Sequence, residues 1–204
     1  MNRGLHWQLR KKCNSEKCIS QIHEREFIIG RRVSLVVNSK MNINDLEKLN
    51  TAVEFLINQK TFLETIEQLS QEINHSQEPF VWSAIDLNSI NRELPESIGS
   101  CWIFALKKDV SSGCHYHPNS IQHMVTIKGQ GMSKVGGIYK RMVQFGSPND
   151  SLADIWYVIG KGVPHEFFPE EEDMIVVSFH TCEANELEEV ACETGEKRLY
   201  EGEI

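Results

Sequence analysis

Between residues 42 and 75 the apolar positions recur every three or four residues. Leu46, Leu49, Val53 and Leu56 form one series, and Phe62, Ile66, Leu69 and Ile73 form a second. Side chains at that spacing share one face of a helix. The pattern predicts a helical hairpin over 44–74, broken near Asn58-Gln59-Lys60, with Asn42 to Asp45 offering caps to the first helix and Thr61 a cap to the second. From residue 80 the period shortens. Phe80-Val81-Trp82, Trp102 to Leu106, Gln122 to Ile127, Ile155 to Ile159 and Met174 to Phe179 are short apolar or alternating runs. Turn-forming clusters such as Ser111-Ser112-Gly113, Gly129-Gln130-Gly131, Gly136-Gly137 and Gly160-Lys161-Gly162 separate them. Short strands with frequent turns predict a mainly β sandwich or barrel.

Four segments follow: a basic arm over 1–40, a helical hairpin over 41–78, a β-barrel over 79–182 and an acidic tail over 183–204. The arm contains one strand-like run, Arg32 to Val37, and is expected to be mobile or to precede a true start at Met41. The tail is expected to be a solvated helix or extension on the outside of the barrel.

Charge sharpens this division. The 204 residues carry a net charge of −8, yet residues 1–40 hold nine Lys/Arg against three acids. The acidic main body argues against nucleic acid or anionic lipid as principal partner. No apolar run reaches the roughly 20 residues of a membrane span, so no membrane partner is expected. The start lacks the apolar stretch of a secretory signal, so a cytoplasmic location is expected. The six cysteines are then expected to be reduced thiols. Cys13 and Cys18 form C-x4-C, half of a zinc site with no second pair nearby.

Candidate chemistry concentrates in His115-Tyr116-His117. Residues two apart on a strand point to the same face, so two imidazoles there make a ready pair of metal ligands. Gln122 and His123 point to opposite faces of the next strand, and only one can join the pair. His165 follows the turn Gly160-Lys161-Gly162-Val163-Pro164, which can deliver a third imidazole.

These residues resemble the cupin superfamily. In its first motif, G-x5-H-x-H-x3,4-E-x6-G, His115, His117, Gln122 and Gly129 fall in register. Gln122 stands where the family usually has Glu, and Asp109 replaces the leading Gly. In the second motif, G-x5-P-x-G-x2-H-x3-N, Gly162 and His165 match, while Asp154, Gly160 and Pro169 replace the first Gly, the Pro and the Asn. The resemblance implies a double-stranded β-helix, the jelly-roll barrel, preceded here by the helical segment. It implies His115, His117 and His165 as metal ligands, with Gln122 as a fourth or as a hydrogen-bonding partner of bound water or ligand. It also implies a homodimer, with the helical hairpin covering a sheet edge or joining the interface.

A neutral ligand set leaves a divalent ion its full charge, which favours a small anionic molecule as substrate. The expected function is a metal-dependent enzyme, with Fe2+ favoured and Ni2+, Mn2+ or Zn2+ as alternatives, and a non-haem iron dioxygenase foremost. A metal-assisted isomerase or lyase, or a non-catalytic binding cupin, stands beside it. His180 is the candidate acid/base group. Tyr139 and Arg141 are candidates to reach an anionic substrate. His123 is expected on the outer face, Cys114 and Tyr116 in packing roles, Trp82, Trp102 and Trp156 in core or interface, and Glu170 to Asp173 in a solvated turn.

Overall fold

The computed structural model describes residues 42–148 and 150–200. The expectations for residues 1–40, including the basic arm, the strand-like run and the Cys13/Cys18 pair, lie outside the described residues. Among the described residues no helix is long and apolar enough to cross a membrane.

Helix α1 spans Ile43–Leu56 and α2 spans Lys60–His75. Asn42 caps α1, its side-chain oxygen accepting from the Asn44 N–H at 3.1 Å. That bond satisfies one of the free donors of a helix start. Thr61 does not cap α2. The helix begins one residue earlier behind Gln59, which makes no side-chain cap.

Among the described residues eleven strands follow, in two antiparallel sheets. They are β1 Phe80–Ile85, β2 Ser100–Leu106, β3 His115–Tyr116, β4 Gln122–Lys128, β5 Gly131–Val135, β6 Ile138–Met142, β7 Tyr157–Ile159, β8 His165–Pro169, β9 Met174–His180, β10 Glu188–Ala191 and β11 Lys197–Leu199. The five-stranded sheet runs β1-β2-β9-β4-β7 and the six-stranded sheet β11-β10-β3-β8-β5-β6. Ile155 is not in a strand. Ser151 and Asp154 form a capping box that starts a short helix, α3, over Leu152–Ile155.

Strand alternation divides the five-stranded sheet between two cores. On one face Ile103, Val125, Val177 and Phe179 pack with Leu49, Val53, Leu69 and Ile73 of the helices. The hairpin therefore covers a sheet face rather than an edge. On the other face Trp102, Met124, Met174 and Val176 meet Val135, Phe167, Leu187 and Tyr200 from the second sheet. His123 is on the outer face as expected, but that face is buried against the helices, and its Nδ1 has no hydrogen-bond partner.

The acidic tail is corrected most. Its described part, through Tyr200, is not an external extension but a β10–β11 hairpin paired to β3. Leu187, Val190 and Tyr200 are buried in the inner core. Cys114 and Cys192 form a disulfide, Cα atoms 5.5 Å apart, which ties the start of β3 to the end of β10. The expectation of reduced thiols fails at this pair, while Cys101 and Cys182 are free and buried.

Two backbone positions carry the motif geometry. Asp109 replaces the motif's leading glycine yet keeps a left-handed backbone, φ 57°. Asp tolerates this region better than most side chains. Gly129 has φ 80°, and a Cβ there would lie 2.8 Å from the Asp173 carbonyl, so the β4–β5 turn admits no side chain.

Tyr157, on β7, donates from its hydroxyl to the Arg141 carbonyl at 2.5 Å. Burial pushes the phenol up to about 12. An unfolded tyrosine ionises near 10, so the stabilisation is complete below that pH and is lost as pH rises from about 10 through about 12. Tyr157→Phe is expected to flatten the alkaline limb of a urea-unfolding pH series, at a cost of about 1 kcal/mol at neutral pH from the lost hydrogen bond.

Candidate metal centre

The register of the six-stranded sheet builds the site. His115 on β3 is directly opposite His165 on β8, and their ring centroids are 4.2 Å apart. His117 follows β3, its ring 5.5 Å from that of His115 and 5.3 Å from that of His165. All three are buried. One ring nitrogen from each can be chosen so that the three lie within 4.8 Å of one another.

Hydrogen bonding decides which nitrogens face inward. The Nδ1 atoms of His115, His117 and His165 lie 2.9 Å from the carbonyls of Gly113, Glu188 and Val163. A carbonyl only accepts, so each Nδ1 must carry the proton and donate. The Nε2 lone pairs are left for the centre. His165 Nε2 is buried without a hydrogen-bond partner. A buried acceptor without a donor is costly unless something binds it.

The pKa shifts agree with neutral rings. Burial, reinforced by the neighbouring His115, lowers His117 to about 4. Burial and the same neighbours hold His165 well below its ordinary value. Neutral imidazole is the form that binds a cation.

The opposite sheet presents Gln122. Its Nε2 donates to Ser178 Oγ at 3.0 Å, and its Oε1 is buried without a partner. Ser178 Oγ is also 2.9 Å from His180 Nε2, and His180 Nδ1 is 3.2 Å from Ser120 Oγ. Gln122, Ser178, His180 and Ser120 thus form one connected hydrogen-bonded chain, which ties down the amide nitrogen of Gln122 and leaves its oxygen without a partner. His180 is fully buried, and burial followed by the charge of His117 holds it well below its ordinary value. Both its ring nitrogens are within hydrogen-bond distance of serine hydroxyls.

Three orphaned or inward-facing imidazole nitrogens and one orphaned amide oxygen fit a divalent metal ion, whose bonds to such donors run about 2.0–2.2 Å. The surrounding cavity is small, about 30 Å³, and is walled by Phe80, Phe104, Met124, Phe167 and Val176.

Tyr139 and Arg141 are not at the site. Both lie on β6 at the sheet edge, Tyr139 is exposed, and Arg141 bonds Glu170 and Gln130 on the surface. Sequence reading missed Glu189. This carboxylate is 8% exposed and places Oε2 3.6 Å from His115 Nε2. The Tyr200 hydroxyl donates to the same oxygen. The available signal was the hairpin pattern itself: Val190 and Tyr200 flanking a turn at Gly195.

Two antiparallel sheets surround a buried histidine triad, with His115, His117 and His165 at the positions where the resemblance to cupin motifs places them. No family model matches the chain, and no curated protein matches it. Several solved structures are similar to part of the chain at low identity. The cupin domain of Cnp3 from Schizosaccharomyces pombe has a TM-score of 0.38 and 10% identity over 51% of this chain and 65% of that one. KdgF from Halomonas sp. has 0.39 and 11% over 52% and 84%. A salicylate 1,2-dioxygenase from Pseudaminobacter salicylatoxidans has 0.42 and 10% over 57% and 33%. The chain thus spans less than two thirds of the first and the last of these, and the likeness is one of fold alone.

Ser178→Ala is expected to release the Gln122 amide and weaken binding of Zn2+ or Ni2+ by about 10-fold, within the range for outer-sphere partners. Chelator-competition titration checks this. An unchanged affinity would remove Gln122 from the centre.

Proposed function

We propose that this chain is a metal-dependent cupin enzyme acting on a small anionic molecule, with a non-haem Fe2+ dioxygenase as the favoured class. The observation that carries the reading is the common state of the three histidines. Each has Nδ1 spent on a backbone carbonyl and Nε2 turned inward.

The ligand set, imidazole and amide, suits Fe2+, Ni2+, Mn2+ or Zn2+. Fe2+ when bound would supply the one-electron chemistry that dioxygen needs. The chain's own residues do the rest. The histidines hold the ion by neutral donors, so its positive charge persists in a low-dielectric cup and draws an anion. The aromatic and aliphatic wall excludes water and limits the ligand: a cavity of about 30 Å³ holds an ion and a few heavy atoms unless side chains move. Ser178 and His180 keep the Gln122 amide from rotating.

A second reading has its own support. Both His180 nitrogens are occupied by serines, and the cavity wall is mostly apolar, as suits a binding module without turnover. Oxygen consumption separates the two. Fe2+-loaded protein is expected to consume dioxygen with at least one of a panel of small thiols, diketones and hydroxy acids. Binding of those molecules without oxygen uptake would leave only the binding module.

Metal analysis of protein purified without added metal is expected to find about one ion per chain, lost in His165→Ala. Gln122→Glu is expected to weaken anion binding by about 10-fold, since one added negative charge at the centre offsets part of the ion's field. Calorimetric titration with a carboxylate probe reads this directly.

A further inference from the structure

Glu189 is a carboxylate with an unusual neighbour. His115 donates from Nδ1 to the Gly113 carbonyl at 2.9 Å, so in the neutral ring Nε2 carries a lone pair. That lone pair faces Glu189 Oε2 across 3.6 Å. Two acceptors in that position repel unless a cation stands between or beside them. The carboxylate is also kept from water. Arg198 is 3.8 Å from its other oxygen, and Tyr200 donates to Oε2 from a ring packed against Trp82, Trp102 and Phe104. Holding an anion in such a setting costs several kcal/mol unless it is matched.

The backbone explains why this carboxylate is here. β10 pairs with β3, with Val190 opposite Tyr116 and Ala191 opposite His115. The Glu188 carbonyl accepts from His117 Nδ1 at 2.9 Å. The same short strand therefore orients one histidine with residue 188 and approaches another with residue 189. The disulfide from Cys114 to Cys192 fixes that pairing at one end.

We propose that Glu189 supplies the carboxylate of the metal centre, delivered by β10 outside both histidine motifs, where Gln122 has displaced the carboxylate of the first. The proposal rests on the metal-centre reading above. Tyr200 is the positioning residue that holds Glu189 toward the ion. Neighbouring ligands joined to one ion by bonds of about 2.1 Å lie about 3.0–3.4 Å apart; Glu189 is 3.6 Å from His115 Nε2 but outside the group formed by the three histidines, so its side chain must rotate toward His117 and His165 when the ion binds. With one carboxylate and neutral partners the centre keeps a net charge of +1. It then still attracts a small monoanion, and its mixed nitrogen and oxygen donors suit Fe2+ or Mn2+.

The test uses the full chain and the metal alone. Zn2+ and Mn2+ affinities are measured by chelator competition for wild type, Glu189→Gln and Tyr200→Phe, with the absorption spectrum of the Co2+-loaded form as a second readout. Glu189→Gln is expected to lose at least about 10-fold in affinity and to change the Co2+ spectrum, while the metal-free fold is retained because Arg198 keeps Glu78 as an ion-pair partner. Tyr200→Phe is expected to lose a smaller factor in the same direction. Should Glu189→Gln not fold, Glu189→Asp, which keeps the charge and shortens its reach, is expected to show the loss and the spectral change. Unchanged affinity and spectrum in a folded variant, with wild type binding metal, would overturn this proposal alone. Failure of wild type to bind metal would overturn the metal-centre reading itself.

Discussion

The centre depends on one repeated interaction: an imidazole Nδ1–H donating to a backbone carbonyl. His115, His117 and His165 each make it, at the same 2.9 Å. A hydrogen bond of this kind contributes only about 1 kcal/mol to stability. Its larger effect is on direction. It selects the tautomer, limits ring rotation and leaves the second nitrogen bare. Three bare nitrogens brought together in a buried cup are an unfavourable arrangement without a cation and a preorganised one with it.

The site is divided between the sheets. The histidines and Glu189 belong to the six-stranded sheet, while Gln122, Ser178 and His180 belong to the five-stranded one. Any shear of one sheet against the other would pull the Gln122 oxygen away from the histidines. The helical hairpin resists this from outside, burying Leu49, Val53 and Ile73 against the outer face of the five-stranded sheet. Full burial of such side chains is worth about 1.5–3 kcal/mol each. The hairpin thus stiffens the wall to which the amide half of the site is attached, without entering the cup.

The two halves also differ in electrostatics. The five-stranded wall is neutral: amide, hydroxyl and a histidine saturated by two serines. The six-stranded wall contains the charged pair of Glu189 and Arg198, with Tyr200 between Glu189 and the aromatic core. A small ligand entering the cup meets a field that runs from one sheet to the other. That field belongs to the side chains of this site and not to the jelly roll, which itself serves many chemistries.

Much of this was legible in the residues. Period alone located both helices to within a residue or two, because an apolar stripe at 3.6-residue spacing has one way to bury itself. Alternation marked β1, β2, β4 and β9, whose faces are both buried or whose inner face is apolar. H-x-H and the glycine turn before His165 marked the three histidines that come together, and the register of Gln122 marked a residue lining the same cavity. What the residues did not disclose was partnership. β5, β6, β10 and β11 are polar, short strands that gain their backbone pairing only from neighbours distant in sequence, and propensity is weak there. The acid count from residue 183 suggested solvent, whereas β10 pairs with β3 and brings Glu189 beside His115. His180 packs against the His117 ring, and only the tertiary structure shows that serines flank both its ring nitrogens. Sequence determined the donors and the periodicities, which are properties of local spacing. Tertiary structure decided which donors stay free, because that depends on hydrogen-bond partners contributed by other strands.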